Sequence, residues 1–317
     1  MIGIHPYKFT PLYKPTIWGG RALERLFGRP LRQDARVGES WELADLREGQ
    51  SLVAEGNDAG KSIQDIIKER GQSLLGGVKL VNGQRFPLLL KLLDANDILS
   101  LQVHPDEATA VRLGSAAKTE CWYILESRDG YILKDCRPGV TRQDFEQTLA
   151  KPNGEQLLAE LVERVDVKAG DFFHLPAGTV HAMGSGLVVA EIQQPSDTTY
   201  RVSDWGRGRP IHVKEAMESI HFTPAQPVPG AAGEVLVASP YFTVAKRCLP
   251  AGEHKLAHGR CVAWMNLRGR GRLECEHYSG QASIGLGQTL LLPAGLEQPV
   301  LRVQEDMELL EITLPEG

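Results

Sequence analysis

The sequence has few cysteines and no long apolar run. Its 317 residues include five cysteines, an odd number, and none of them stands in a CxxC pair. This composition argues against a disulfide framework and is typical of a chain whose thiols stay reduced. No stretch approaches the roughly 20 apolar residues of a membrane-spanning helix. We therefore expect a soluble protein that has no membrane partner.

The chain also lacks an excess of basic charge and the common nucleotide-binding motifs. Its formal net charge is −5, with no basic stripe and no alternation of basic and aromatic residues, so nucleic acid is not an expected partner. A Walker-type glycine loop and a Rossmann fingerprint are both absent, so side chains must hold any phosphate group on a ligand. Residues 1–15 lack a basic segment followed by an apolar one, and we expect a cytoplasmic location. The sequence does not predict the oligomeric state.

Side chains that can bind a metal stand in three separated segments: Gln102 and His104 in QVHPDE, Glu120 in KTECWY and His181 in LPAGTVHAMG. Alternation along a strand puts Gln102 and His104 on one face, and Glu120 begins a neighbouring strand pattern. Each residue alone is also compatible with a hydrogen-bonded core side chain. Together, two imidazoles, one carboxylate and one amide suit a borderline ion such as zinc and leave a position open for substrate.

Two segments of the chain repeat each other. GDFFHLPAGTVHA at 170–182 and GQTLLLPAGLEQPV at 287–300 share a glycine, an apolar strand and a Leu-Pro-Ala-Gly turn. The pattern predicts a small antiparallel β-barrel in each half of the chain. Gln298 stands in the second copy where His181 stands in the first, so we expect a second barrel without metal. His254 and His258 lie in a glycine-flanked segment that predicts a loop, and no second metal is expected there.

Helices are predicted only as insertions between strands. Ser62 is a candidate N-cap for a helix over 62–76, and a further helix is predicted after Pro105. Thr141 begins a helical insertion at about 139–163. The segment 222–233 is rich in proline, alanine and glycine and predicts a linker. We therefore expect a metal-binding catalytic domain at 1–221 and a metal-free β domain at 234–317.

Four motifs in this order resemble the type I mannose-6-phosphate isomerases in their shorter bacterial form, which belong to the cupin superfamily: QVHPDE, KTECWYIL, GDFFHLPAGTVHA and EIQQPSDTTYRVSDWGR. PLYKPTIWGG is also similar to the entry strand of that family, and the resemblance covers essentially the whole chain. It implies a mostly β fold of two cupin-type (jelly-roll) β-barrels with a small helical insertion. It also implies a zinc-dependent aldose–ketose isomerase that interconverts mannose 6-phosphate and fructose 6-phosphate through an enediolate, with one Zn²⁺ per chain.

The resemblance assigns roles to individual residues. The zinc ligands of the family fall on Gln102, His104, Glu120 and His181. The family's active-site arginine falls on Arg201 and its acid/base carboxylate on Glu191, and Lys118 is an alternative proton shuttle. Ser100 and Lys91, together with Lys118, match positions that line the sugar-phosphate pocket. Whether Gln102 binds the ion directly, and which group moves the proton, stays open.

Departures from the family pattern leave the exact aldose phosphate open. The segment GESWELADLREG begins like the family and then differs, so the rim of the pocket is expected to differ. Arg207 and Arg209 stand in a glycine-rich stretch that predicts a mobile surface loop. Two other functions are compatible with such a metal site: a metal-dependent cupin oxygenase, and a nonenzymatic sugar-phosphate sensor.

Overall fold

The computed structural model describes residues 4–223, 234–257, 259–276 and 278–316. The fold is mostly β, as predicted. In chain order the strands are β1 Leu12–Gly20, β2 Val37–Leu43, β3 Asp45–Leu46, β4 Gly49–Gln50, β5 Leu89–Ala95, β6 Leu101–Val103, β7 Glu120–Ser127, β8 Tyr131–Cys136, β9 Val162–Asp166, β10 Phe172–Leu175, β11 His181–Met183, β12 Leu187–Gln193, β13 Tyr200–Ser203, β14 Val235–Ala238, β15 Thr243–Leu249, β16 Gly252–Lys255, β17 Val262–Cys275, β18 Tyr278–Ile284, β19 Thr289–Leu292 and β20 Val300–Thr313.

The helices are short. They are α1 Ala22–Phe27, α2 Ile63–Arg70, α3 Gln72–Leu75, α4 Glu107–Leu113, α5 Arg142–Leu149, α6 Gly154–Leu157 and α7 Val213–Ser219, and a 3₁₀ turn follows α6 at Leu158–Leu161. No helix in the described stretches is long and apolar enough to cross a membrane. The cytoplasmic location stays a prediction.

Capping residues start the predicted helices where the sequence indicated. The Ser62 hydroxyl accepts the Asp65 N–H at 3.1 Å, and the Asp65 carboxylate accepts the Ser62 N–H at 3.0 Å. The predicted helix over 62–76 is split at Gly71, which has a positive φ of 48° and separates α2 from α3. Thr141 forms the same capping box at the start of α5. The segment 139–163, predicted as a helical insertion, contains α5, α6 and the 3₁₀ turn.

The strands form three large open sheets and a small hairpin. The six-stranded sheet has the order β1-β2-β5-β12-β7-β10, the five-stranded sheet has the order β13-β6-β11-β8-β9, and the seven-stranded sheet has the order β14-β15-β20-β17-β18, with β16 also paired to β20 and β19 to β17. β3 and β4 pair with each other. Within the described residues no sheet closes on itself, and the arrangement as two jelly-roll barrels stays a prediction. Two sheets facing each other bury apolar side chains without such closure.

The chain divides into two compact units. The central unit comprises Lys14–Glu39 and Leu92–Pro227. The C-terminal unit comprises Met1–Tyr13, Ser40–Lys91 and Val228–Gly317. The division differs from the predicted domains, because two N-terminal segments group with the C-terminal part of the chain.

Backbone hydrogen bonds give the reason for this grouping. Tyr7 donates its N–H to the carbonyl of Leu291 at 2.9 Å and accepts the Leu291 N–H at 2.8 Å. Ala294 donates its N–H to the carbonyl of Leu74 at 3.0 Å. These pairings are far apart in sequence, and periodicity within single segments does not predict them.

The core of the central unit lies between strands of two sheets. Trp122 and Ile124 from β7 and Val189 from β12 pack in one buried cluster with Ile132 from β8 and Met183 from β11. The other face of the five-stranded sheet packs against helices. There Leu101, Val103, Leu133, Ala182 and Val202 share a buried cluster with Phe145 of α5, Leu158 of the 3₁₀ turn and Met217 of α7. Both faces of the five-stranded sheet are thus covered, so the side chains on each face are packed and restrict movement of the strands.

The C-terminal unit contains the second copy of the repeated segment. Its seven-stranded sheet buries Trp264, Leu273, Leu290, Leu301 and Leu309, among others. Gln298 has a positive φ of 45° and donates from Nε2 to Glu276 Oε2 at 2.6 Å. The loop predicted around His254 is in part the strand β16, whereas His258 lies outside the described residues, as do residues 224–233 of the predicted linker.

Candidate metal centre

The predicted metal ligands meet in the central unit because the strands around them pair in register. His181 at the start of β11 lies directly opposite Gln102 on β6, and His104 follows β6 by one residue. Glu120 begins β7 of the facing sheet, where it pairs with Leu175, a residue of the core between the two sheets. Side chains from both sheets therefore converge at one end of this core.

The three strongest ligand candidates are close together and buried. Nε2 of His104 lies 3.5 Å from Glu120 Oε2, and Nε2 of His181 lies 3.4 Å from Glu120 Oε1. Their ligand atoms all lie within 4.8 Å of one another, and at most 2 % of any of the three side chains is exposed. This spacing suits three donors around one ion.

Hydrogen bonds from the backbone fix the two imidazole rings. His104 donates from Nδ1 to the carbonyl of Thr198 at 2.8 Å, and His181 donates from Nδ1 to the carbonyl of Thr179 at 2.9 Å. With Nδ1 protonated, each ring presents the lone pair of Nε2 to Glu120. Metal-binding histidines are oriented in this way by a second hydrogen bond.

Several buried polar atoms at this point have no hydrogen-bond partner. They are His104 Nε2 and both carboxylate oxygens of Glu120. Nζ of Lys118 lies 2.7 Å from Glu120 Oε2 and balances its charge, without hydrogen-bond geometry. Buried polar atoms are almost always paired, so such a cluster of unpaired acceptors fits a bound cation. The residues present can therefore hold a metal ion.

The electrostatics keep all three groups ready to bind a metal. Burial, and then the Lys118 ammonium, lower the pKa of His104 to about 3. Burial also lowers the pKa of His181. Burial alone would raise the pKa of Glu120, but Lys118 and His104 outweigh it and hold this pKa well below its usual value. At neutral pH the centre therefore has neutral imidazoles and an ionised carboxylate, the forms that ligate metals.

Gln102 is next to the cluster on its less buried side. Its Oε1 accepts a hydrogen bond from the Ser100 hydroxyl at 3.3 Å, and its Nε2 lies 3.3 Å from His181 Nε2. Rotating the amide by half a turn exchanges the two atoms, and only then does the oxygen face His181. Ser100 is 3 % exposed, so the contact that it makes here holds the Gln102 amide.

Lys118 and Glu191, the two predicted proton shuttles, are both buried and make different contacts. The Lys118 ammonium forms an ion pair with the Glu120 carboxylate. Glu191 pairs with Trp122 across β12 and β7, and its Oε2 accepts the indole N–H at 2.9 Å. The indole packs edge-on against His181, with 5.4 Å between ring centroids. This contact links Glu191 to His181 through Trp122.

Arg201 lies directly opposite Gln102, on β13, at the edge of the five-stranded sheet. Its Nε is buried and has no hydrogen-bond partner. Burial, and then the nearby Arg209, lower the pKa of this guanidinium. This partly buried cation lies beside the predicted ligands, and its unpartnered Nε can bind an anionic group.

The mobile loop predicted for Arg207 and Arg209 is not what the structure contains. The carboxylate of Asp204 is 1 % exposed and accepts hydrogen bonds from Arg207 Nη2 at 3.0 Å and from Arg209 Nη2 at 2.6 Å. Arg207 also donates to the carbonyl of Ile98 at 2.6 Å. The buried carboxylate therefore holds both arginines in place.

Lys91 belongs to the C-terminal unit. It lies on β5 and is 5 % exposed, with its ammonium 5.6 Å from the centroid of the Trp41 ring. Its role in substrate binding stays a prediction.

The turn between β10 and β11 ties the ligand segments together. Gly178 donates its N–H to the carbonyl of His104 at 2.8 Å and accepts the N–H of His221 at 2.9 Å. Its φ is 86°, and a Cβ at this position would lie 2.4 Å from the His221 ring. Glycine is therefore required at this turn, which the repeated Pro-Ala-Gly motif indicated.

Three features of the site were not predicted from the sequence. They are the Thr179 and Thr198 carbonyls, which accept hydrogen bonds from the two imidazole rings, and the position of Lys134. Lys134 on β8 lies directly opposite His181 on β11. Alternation within YILKDC indicates which residues share a face, but only the strand register reveals that Lys134 lies beside a predicted ligand.

Comparison with known proteins shows the family of the chain. Residues 7–130 match the model of the phosphomannose isomerase type I catalytic domain. The chain is 38% identical over 293 residues to a mannose-6-phosphate isomerase of Streptococcus mutans, which covers 87% of this chain and 89% of that protein. The chain belongs to the type I phosphomannose isomerase family.

Two further relatives extend the comparison. The probable mannose-6-phosphate isomerase GmuF of Bacillus subtilis is 38% identical over 258 residues, which cover 76% of this chain and 79% of that protein. The crystal structure of the mannose 6-phosphate isomerase from Bacillus subtilis matches with a TM-score of 0.84 at 29% identity. This match covers 98% of this chain and 99% of that one. The family fold thus extends over nearly the whole chain.

Proposed function

We propose that this chain is a zinc-dependent aldose–ketose isomerase that interconverts mannose 6-phosphate and fructose 6-phosphate. The observation that carries the proposal is the buried group of His104, Glu120 and His181, with its unpaired acceptor atoms. The relatives named above as mannose-6-phosphate isomerases support the same reaction and substrate.

The donor set favours one Zn²⁺ per chain, held by His104, Glu120 and His181, with the Gln102 amide as a fourth donor after rotation. Two imidazoles and a carboxylate are common ligands of catalytic zinc. Such an ion supplies Lewis acidity at the carbonyl that moves between C1 and C2. The ligand set carries one formal negative charge and leaves the ion net positive, which suits an anionic transition state.

The chain's own residues have to move a proton. Isomerisation of the aldose removes a proton from C2, which gives an enediolate with its charge on two neighbouring oxygens. A proton is returned to C1, and the hydroxyl proton of O2 ends on O1. Lys118 and Glu191 are the two candidate shuttles; both are buried, and Lys118 lies against Glu120. Arg201, opposite Gln102, stabilises the developing negative charge.

We also propose that each unit is built on a cupin-type jelly roll, with the metal in the central unit and none in the C-terminal unit. The repeated strand and Leu-Pro-Ala-Gly turn support this proposal. His181 follows the turn in the first copy, and Gln298, bound to Glu276, occupies that position in the second.

The reaction is tested with purified, zinc-loaded protein and mannose 6-phosphate. Formation of fructose 6-phosphate, with much slower turnover of the C2 epimer glucose 6-phosphate, is expected. Sugar-phosphate binding without turnover of any aldose phosphate would favour a sensor and contradict the proposal, and oxygen consumption would favour an oxygenase.

The proton shuttle is tested with Lys118→Met and Glu191→Gln. Each variant is assayed in deuterated water for turnover and for deuterium in the product, after its zinc content has been verified. Loss of the shuttle is expected to lower turnover by about 10²- to 10⁴-fold with zinc retained. If both variants turn over at the wild-type rate, neither residue moves the proton.

A further inference from the structure

Four side chains lie in one row across the five-stranded sheet. Arg201 on β13 is opposite Gln102 on β6, Gln102 is opposite His181 on β11, and His181 is opposite Lys134 on β8. Directly opposed residues on antiparallel strands point to the same face. The row therefore places a cation at each end and two predicted metal ligands between them.

The row lies on the face of the sheet that carries the metal centre. Ile132 stands two residues before Lys134 on β8 and pairs with Met183 of β11. Both are buried in the core between the two sheets of the central unit. Because residues two apart on a strand share a face, Lys134 continues this inner face towards the metal centre.

An unusual backbone conformation holds the Lys134 ammonium. Its Nζ forms an ion pair with the carboxylate of Asp135, although neighbours on a regular strand point to opposite faces. Asp135 has a positive φ of 66°, and the pairing of β8 with β9 shifts register between Leu133 and Cys136. This irregularity turns the carboxylate towards Lys134. A left-handed non-glycine residue costs on the order of 1–3 kcal/mol, and such residues cluster at functional sites.

We propose that Lys134 binds the phosphate group of the sugar-phosphate substrate, and that Asp135 holds its ammonium in place before the substrate arrives. The inference rests on the proposed function. Both lysines are ion-paired, but Lys134 is 23% exposed, so an anion from solvent can reach it, whereas Lys118 is 5% exposed. In a hexose 6-phosphate the phosphate is at the opposite end of the molecule from C1 and C2. A cation that binds it therefore has to lie next to the metal centre and cannot be a group that contacts the metal ligands.

The position and chemistry of Lys134 suit a phosphate-binding residue. Neighbouring strands are about 4.8 Å apart, so Lys134 is one strand from His181, and Arg201 is two strands from His181 on the other side. Lys134 and Arg201 thus lie on opposite sides of His181, so a substrate with its carbonyl at the metal centre can place its phosphate on the Lys134 side. An ammonium group has three donors for phosphate oxygens. Burial, and then the Lys134 charge, lower the pKa of His174 on β10 to about 4, so this charge also acts on the facing sheet.

The inference is tested with Lys134→Met, Lys134→Arg and the control Lys151→Met, which removes an exposed lysine from the helical insertion. Lys134→Met is expected to raise the KM for mannose 6-phosphate by about 10- to 100-fold, the loss of one charge-assisted hydrogen bond, with little change in kcat. Lys134→Arg keeps the charge and is expected to restore most of the affinity. The control is expected to keep the wild-type KM.

Inorganic phosphate is the second probe, and its binding to the zinc-loaded proteins is measured by calorimetry. Lys134→Met is expected to weaken phosphate binding while the zinc content stays unchanged. Equal KM and equal phosphate affinity in Lys134→Met and Lys151→Met would overturn the inference. If the wild type does not turn over mannose 6-phosphate, the proposed function fails, and the phosphate titration still decides whether Lys134 binds the anion.

Discussion

Gln102 and His181 are 79 residues apart in sequence and lie directly opposite each other on β6 and β11, with 3.3 Å between Nε2 of each side chain. The Ser100 hydroxyl holds the Gln102 amide, and the Thr179 carbonyl holds the His181 ring. The strand register and the Thr179 hydrogen bond thus set the position of the His181 ring before an ion binds, whereas the Gln102 amide has to rotate to offer its oxygen. Preorganisation of this kind lowers the cost of assembling a metal site.

Replacing either predicted histidine ligand is expected to remove metal and activity together. His104→Ala and His181→Ala each delete one of the three buried donors, and we expect zinc affinity to fall by more than about 100-fold. Zinc content after dialysis and turnover are measured on the same samples. His254→Ala, a half-buried histidine on β16, is the control and is expected to keep both. Turnover that persists in a zinc-free histidine variant would remove the metal from the mechanism.

Replacing Arg201 with alanine is expected to separate metal binding from turnover. The guanidinium lies opposite Gln102, and its buried Nε has no hydrogen-bond partner among the described residues. We expect unchanged zinc content and a fall in kcat/KM of about 10²- to 10³-fold. Steady-state kinetics with zinc-loaded protein measure this, and wild-type kinetics in Arg201→Ala would exclude the residue from the site.

Two glycine variants separate backbone strain from a clash beside the metal centre. Gly139 and Gly178 have φ values of 84° and 86°, but a Cβ at Gly139 meets nothing within 4 Å, whereas one at Gly178 meets the His221 ring. Gly139→Ala is expected to lower the free energy of unfolding by about 1–2 kcal/mol. Gly178→Ala is expected to lower it by about 1–3 kcal/mol more and to weaken zinc binding, because the turn also contacts His104. Denaturant unfolding that gives equal losses would contradict this role of His221.

The metal-free protein is expected to lose stability as the pH falls from about 6.5 towards 3. Burial lowers the pKa of His104 from 6.5 to about 3, so within this window the unfolded chain binds a proton that the folded chain does not. Protonation therefore favours unfolding, and the stabilisation present above pH 6.5 is lost on acidification. Denaturant unfolding of chelator-treated protein at several pH values measures the effect. The variant His104→Gln is expected to show a shallower dependence; an unchanged slope would contradict the assignment.

Local features of the fold were predictable from the sequence because their causes are local. Ser62 and Thr141 accept the N–H groups that begin their helices, and Glu120 opens β7 as the alternation indicated. The grouping of 40–91 with the C-terminal unit was missed. It depends on hydrogen bonds between distant segments, such as that from the Ala294 N–H to the Leu74 carbonyl, and no single segment encodes them.

In the candidate metal centre, too, residues marked by local motifs were predictable and residues placed by contacts between distant segments were not. His104, Glu120 and His181 were named from their residue types and motifs, and the structure brings them together. Lys134 was missed because its place beside His181 follows from the register of β8 with β11. The interpretation of Arg207 and Arg209 as a mobile loop failed because composition does not reveal the buried Asp204 carboxylate that holds them.

The central claim is tested most directly by following the conversion of mannose 6-phosphate to fructose 6-phosphate in one preparation that is first active, then treated with a chelator, then resupplied with zinc. The account predicts turnover that stops when the metal is removed and returns with zinc, because His104 Nε2 and the Glu120 carboxylate are buried acceptors without a hydrogen-bond donor among the described residues. Undiminished turnover by protein verified to be free of metal would contradict it.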